Sequence, residues 1–284
     1  MAVVGPASRR ASTRPVDARA RWQLTAVGVL LVLAAAAWAF TGSRMADMDA
    51  GPGTDPGALG FYVVSWVAMM AAMMLPSVAP MVATYVGIQR ARRRRGMHAP
   101  AGASACFVGG YLLTWTVAGL AAYGLFDAGS SLLGDELAWD RTGRWVAAAV
   151  LLGAALYELT PLKGACLTRC RGPLAFVLEA WRDGRTGALR MGALHGAWCV
   201  GCCWALMAAL FALGVMSVAW MLVIALLIAV EKMAPWRRAA TTVVTVALVA
   251  LAAGVAIDPK RVPGLTVPTD GAPMDAPMDA PMMG

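Results

Sequence analysis

Apolar residues fall along this chain in long blocks, not in the short alternations that build a sheet. Seven blocks stand out, near positions 24–40, 59–88, 104–126, 145–159, 191–213, 216–230 and 239–257. A helix rises about 1.5 Å per residue, so about 20 mostly apolar residues cross a hydrocarbon core about 30 Å thick. Each block is therefore a candidate spanning helix. The fourth and sixth are short, which predicts upright helices or help from flanking residues. The second is long and holds Pro76 in Met-Leu-Pro-Ser, which predicts a kink or a short break. The turn around Leu213-Gly214-Val215 predicts a tight helical hairpin between the fifth and sixth. The expected fold is all-α, a polytopic membrane helix bundle of about seven transmembrane helices. Its expected parts are a basic arm (1–23), the helical domain (24–257) and a flexible tail (258–284).

Composition agrees. Hydrophobic residues make up 60% of the 284 positions and charged residues only 14%, with a mean hydropathy of +0.65. A soluble domain averages roughly 45–50% apolar and about 25% charged. A cytosolic enzyme of this length could not cover that much apolar surface. Charge then sets orientation. The first arm and the loops after blocks two, four and six hold 19 of the 24 Lys and Arg residues. The intervening connections carry Asp47, Asp49 and Asp55, then Asp127, Asp135, Glu136 and Asp140. The positive-inside rule predicts a cytoplasmic N-terminus and an outer C-terminus. The net charge of +8 is then a topology and lipid-headgroup signal, and no nucleic-acid partner is expected. Ala37-Trp38-Ala39 resembles a signal-peptidase site, but the long basic region before it favours an uncleaved anchor.

Sulfur is in excess, with 18 Met and 6 Cys against 2 His. The fifth block reads His195-Gly-Ala-Trp-Cys199-Val-Gly-Cys202-Cys203-Trp-Ala-Leu-Met207. On a helix, His195, Cys199 and Cys202 share an arc of about 60°, with Cys203 at its edge. Thiolate and imidazole suit Cu(I) and also Zn(II), whereas hard cations prefer oxygen. The competing view is that these are small buried residues, since cysteine packs as a compact hydrophobe. The second block carries Met69, Met70, Met73 and Met74. Met70, Met73 and Met74 are candidate thioether ligands, which favour copper over zinc, although methionine is also common core filler. Counted at about 1.5 Å per residue, Met70 to Met74 lie roughly 13–20 Å deep and Cys199 to Cys203 roughly 12–18 Å deep. Both clusters are expected near the midplane, with Met207 toward the outer rim.

Cys166 and Cys170 follow the fourth block, beside Lys163, Arg169 and Arg171. Their spacing puts both on one helical face, and they are expected at the cytoplasmic end, able to clamp a metal or simply inert. Pro173 then opens an apolar stretch, 174–181, expected along the inner interface. The tail repeats Pro-Met-Asp-Ala around Met274, Met278, Met282 and Met283, which excludes a packed fold and suggests extracytoplasmic copper capture. Glu158 and Glu231 sit near inner helix ends, where pairing of Glu158 with Lys163 and of Glu231 with Lys232 is the plainest account. His98 is expected to be solvated.

Three segments together carry a resemblance. They are Trp66-x-x-Met69-Met70-Ala-Ala-Met73-Met74-Leu-Pro76, then Tyr157-x-x-x-Pro161-x-Lys163-x-x-Cys166-Leu-x-x-Cys170-Arg171-x-Pro173, then Cys199-x-Gly201-Cys202-Cys203-Trp204-x-Leu-Met207, with Glu231-Lys232 following. This set resembles the bacterial family of predicted metal-binding integral membrane proteins, domain of unknown function 2182, over roughly 61–236. The resemblance implies a bacterial membrane protein with a metal role and supplies no reaction.

The reading that joins these features is a non-enzymatic copper-handling membrane protein. It would transport, store or deliver Cu(I) to a copper chaperone or a metalloenzyme client. One alternative is a membrane thiol–disulfide oxidoreductase using Cys199/Cys202 with Cys166/Cys170. The other is a scaffold subunit whose sulfurs only pack. No phosphate-binding glycine loop and no Asp-Lys-Thr-Gly-Thr run is present, which excludes a pumping ATPase.

Overall fold

The structure, a computed structural model, describes residues 14–45, 58–133, 142–214, 217–262 and 265. The Met-rich tail and Met216 lie outside the described residues. Nine α-helices are described, with one short 3-10 turn after the last and no strand among the described residues. They are α1 (Arg14–Met45), α2 (Leu59–Arg94), α3 (Ala103–Leu133), α4 (Arg144–Glu158), α5 (Pro161–Arg171), α6 (Pro173–Glu179), α7 (Gly184–Leu213), α8 (Val218–Met233) and α9 (Arg237–Ile257).

Among the described residues, five helices are long and apolar enough to cross a bilayer: α1, α2, α3, α7 and α9. The pair α4–α5 qualifies as a sixth only when counted together, because it bends by 68° at residues 159–160. Helix α8 has 16 residues, fewer than the about 20 of a straight span. Many large apolar side chains face outward, Val32 at 69% and Leu125 at 77% exposure among them. Contiguous apolar surface of that kind is uncommon on soluble monomers and suits lipid.

Two expectations change. Helix α2 runs unbroken from Leu59 to Arg94 through both Pro76 and Pro80, so there is no break at Pro76. Residues 161–171 form a helix where a cytoplasmic loop was expected. Thr160 explains the start of that helix. Its Oγ1 accepts from Lys163 N at 3.3 Å, an N-cap bond, and Pro161 takes the first helical position, where a missing N–H costs nothing. Pro161 also disfavours helical backbone at Thr160, which ends α4.

The chain divides into two compact units. The first comprises the described residues of Met1–Thr41, Leu59–Leu120 and Gly164–Cys202. Its core includes Met69, Met70, Met74, Tyr85, Phe107, Tyr111 and Trp115, all 2% exposed or less. Trp66 Nε1 donates to Trp115 O at 2.8 Å and Tyr62 Oη to Gly119 O at 3.0 Å, so α2's buried donors are satisfied by α3 carbonyls. Glycines let α3 and α7 touch. A Cβ on Gly192 would overlap the Phe107 carbonyl, one on Gly110 the Leu189 carbonyl, and one on Gly196 would lie 3.0 Å from Tyr111 O. Gly192-x-x-x-Gly196 is thus a small-residue contact of the kind that brings membrane helices together. Helix α6 packs on α2 and buries Phe176 and Val177.

The second unit comprises the described residues of Gly42–Ala58, Ala121–Lys163 and Cys203–Gly284. Here α4 packs along α9 and α8 also meets α9. The contact stripe of α4 is mostly alanine (Ala147, Ala148, Ala154 and Ala155 around Leu151), facing inward with Val244, Leu248, Ala252 and Val255 of α9. Ser217 caps α8, its Oγ accepting from Trp220 N at 3.4 Å.

Candidate metal centre

Helix α5 turns Lys163, Cys166 and Leu167 inward and leaves Cys170 half-buried, one stripe at i, i+3, i+4 and i+7. Helix α7 presents Cys199 and Cys202 three residues apart, 0% and 1% exposed. The sulfurs of Cys170, Cys199 and Cys202 lie within 4.8 Å of one another. A metal about 2.3 Å from each of three sulfurs in a plane needs them about 4.0 Å apart. The three thiols are therefore gathered to within an ångström of a trigonal thiolate site.

Two contacts shape it. Tyr111, fully buried on α3, brings its hydroxyl 3.0 Å from Cys199 Sγ. Cys202 Sγ donates to Cys199 O at 3.1 Å, the bond a helical thiol makes to the preceding turn while it carries its proton. Cys166 packs on the α7 backbone beside Cys202, and a Cβ on Gly201 would come 2.8 Å from Cys166 Sγ. Gly201 thus makes room for α5 against α7. At the rim, Arg169 stacks on Trp198, its Cζ 4.7 Å from the ring centroid. That sets a cation next to Cys170 on α5 and an aromatic ring next to Cys199 on α7 along the chain.

The arrangement redraws the expected clusters. Cys170 joins Cys199 and Cys202, where two separate levels were expected. Cys170 was expected at the cytoplasmic end of the fourth block, and residues 161–171 instead form a helix that bends by 68° from α4. His195 lies outside the three-sulfur group. It is 2% exposed and surrounded by Phe176, Tyr111 and Phe107, with ring centroids 5.1, 5.9 and 6.2 Å away. Cys203 and Met207 are buried in the second unit. Met70, Met73 and Met74 are buried in the first, where Ser77 Oγ approaches Met74 Sδ at 4.0 Å. His98 is exposed. Tyr111 had no sequence signal, being one aromatic residue in an apolar span. The glycine spacing 192–196 did carry one, since it marks where α3 comes close enough for Tyr111 to reach Cys199.

A helical chain with three clustered thiols, two buried and one half-buried, has the architecture of a soft-metal binder. A family model described as PpoB2, copper chaperone, matches residues 63–255. The chain belongs to this family, and the match takes in α5, Tyr111 and all three clustered cysteines. No curated protein and no solved structure matches the chain. The match supports a copper-related family and does not carry the name of the family that the motifs resemble, domain of unknown function 2182.

Proposed function

We propose that this protein is a membrane-embedded carrier of Cu(I), holding the ion on Cys170, Cys199 and Cys202 and passing it to a copper protein. The three-sulfur cluster is the observation that carries this reading. Thiolates are soft donors suited to Cu(I). Structural zinc prefers four ligands in a tetrahedron, one more than the cluster offers. An odd number of thiols also suits a metal better than a disulfide, which pairs two sulfurs and strands the third.

Copper is cargo here, so the residues bind and release it and no bond of the ion's partner is made or broken. Tyr111 donates a hydrogen bond to the Cys199 thiolate, which holds that sulfur in place and spreads its charge. Arg169 offsets part of the excess negative charge of three thiolates on one monovalent ion. Burial of Cys199 and Cys202 keeps water and oxidants away from the ion. The half-buried Cys170 is the natural point of exchange, because a ligand reachable from outside can be replaced first.

The same reading has the five long helices and the α4–α5 pair in the bacterial inner membrane, arginine-rich segments facing the cytoplasm. The buried thioethers of α2 and the Met274–Met283 tail then serve as weaker stations for loading or delivery, and the protein catalyses no reaction. Copper per protein, measured by mass spectrometry on purified material, tests the core of it. Wild type should retain one Cu(I), and Cys170→Ser, Cys199→Ser and Cys202→Ser should each lose most of it. Cys106→Ser should match wild type. Full copper in all three cluster variants would refute the site.

A further inference from the structure

A basic cleft opens at the end of α2, within the first unit and outside the three-sulfur group. Gly87, Arg90, Ala91, Arg94 and Arg95 line a space of about 190 Å³. These positions run i, i+3, i+4, i+7 and i+8, a single stripe of the helix. Helix α1 meets α2 beside it. A Cβ on Gly87 would come 2.9 Å from Gln23 Nε2, and that Nε2 donates to Ala83 O at 3.4 Å. The Arg90 guanidinium stacks on Trp22 of α1, its Cζ 3.3 Å from the ring centroid.

The arginine run divides by what its members touch. Arg92 pairs with Asp183 at 2.6 Å and lies 4.9 Å over the Trp181 ring, and Arg93 Nε donates to Ala99 O at 2.8 Å. Those two are held by the protein's own groups. Arg90, Arg94 and Arg95 pair with no carboxylate among the described residues. Three like charges within two turns of one helix repel one another, and an anion in the cleft would relieve that repulsion. The surroundings select the anion. Residues 59–88 are mostly apolar and the charges begin at Arg90, which sets the cleft where hydrocarbon gives way to headgroups. Trp22 is 45% exposed and Leu24, two residues on, is 68% exposed. An anion that carries an apolar tail uses both the charges and this surface, whereas a soluble anion uses the charges alone.

We propose that Gly87, Arg90, Ala91, Arg94 and Arg95, with Trp22 of α1, form a binding site for the phosphodiester headgroup of an anionic membrane phospholipid. Its acyl chains lie along the exposed apolar surface of α1. The inference rests on the membrane-embedded reading and is independent of the copper site. Guanidinium groups match phosphate oxygens in pairs, and basic pockets between spanning helices are places where anionic headgroups bind. Gly87 and Ala91 keep the stripe low, so the headgroup can approach the helix between the arginines.

Native mass spectrometry of the purified full-length protein, released from detergent micelles carrying phosphatidylglycerol or phosphatidylcholine, tests this. Wild type should retain one phosphatidylglycerol and little phosphatidylcholine. Each basic residue near an anionic headgroup contributes about fivefold, so Arg94→Gln combined with Arg95→Gln should weaken retention roughly thirtyfold and Arg90→Gln alone about fivefold. The single variant serves if the double one fails to fold. Arg238→Gln, exposed at the start of α9, should match wild type. Excess inorganic phosphate should leave the lipid bound. Equal retention of the two lipids, retention unchanged in the cleft variants, or release by inorganic phosphate would overturn the proposal. Recovery of the protein in the soluble fraction without detergent would instead refute the membrane reading. Copper content of the same samples reports on the thiolate site, so the three failures are distinguishable.

Discussion

The close approach of α3 to α7 makes the sharpest structural prediction, because one methyl group should disturb the metal site from a distance. Gly192→Ala would drive a Cβ into the Phe107 carbonyl, a backbone atom that cannot rotate away. At Gly196 the corresponding contact is 2.9 Å to Thr114 Cβ, about half an ångström short of ordinary packing, and Gly192 is tighter still. Overpacking of this kind costs about 1–3 kcal/mol, and the alanine regains about 1 kcal/mol of helix propensity, for a net loss of up to about 2 kcal/mol. Moving α3 off α7 also lengthens the 3.0 Å contact of Tyr111 with Cys199 Sγ. A hydrogen bond to a charged group contributes about 1.5–3 kcal/mol, so copper should bind roughly ten- to a hundredfold more weakly. Gly109→Ala is the control, on the partner helix α3 with nothing within 4 Å of its Cβ. Thermal unfolding in detergent and competition against a Cu(I) chelator would be measured on both variants. If Gly192→Ala unfolds and binds copper as Gly109→Ala does, the reasoning about this contact is wrong.

Other predictions follow from the same geometry. Tyr111→Phe should keep copper stoichiometry while weakening affinity about tenfold or more, from loss of the bond to the Cys199 thiolate, and should shift the thiolate-to-copper absorption; an unchanged spectrum and affinity would remove Tyr111 from the site. His195→Phe should retain copper, since its ring packs among Phe107, Tyr111 and Phe176, and loss of copper would restore histidine as a ligand. Gly201→Ala should weaken binding and slow loading by pressing on Cys166, as read by chelator competition and stopped-flow transfer.

Much of the fold is legible in the chain because lipid leaves the backbone few choices. Without water to satisfy its N–H and C=O groups, a long apolar segment forms a helix, and the blocks behind α1, α2, α3, α7 and α9 could be read directly. Hydropathy could not reveal the course of residues 158–171, where charges and thiols suggested a cytoplasmic loop. The expected pairing of Lys163 with Glu158 is present, but Glu231, expected to pair with Lys232, also bonds Lys163. The sulfur cluster was half legible. Helical spacing paired Cys199 with Cys202, but Cys170 stands on a separate helix and no spacing in the sequence could place it beside them. His195 shares their helical arc, yet an arc fixes direction only to the width of a neighbouring helix, and aromatic rings from α3 and α6 surround it.

X-ray absorption at the copper edge, on wild-type protein loaded with Cu(I), tests the central claim most directly. A shell of three sulfurs at about 2.3 Å, reduced by one in Cys170→Ser, is the predicted result. A shell containing nitrogen, or one unchanged by loss of Cys170, would contradict the account.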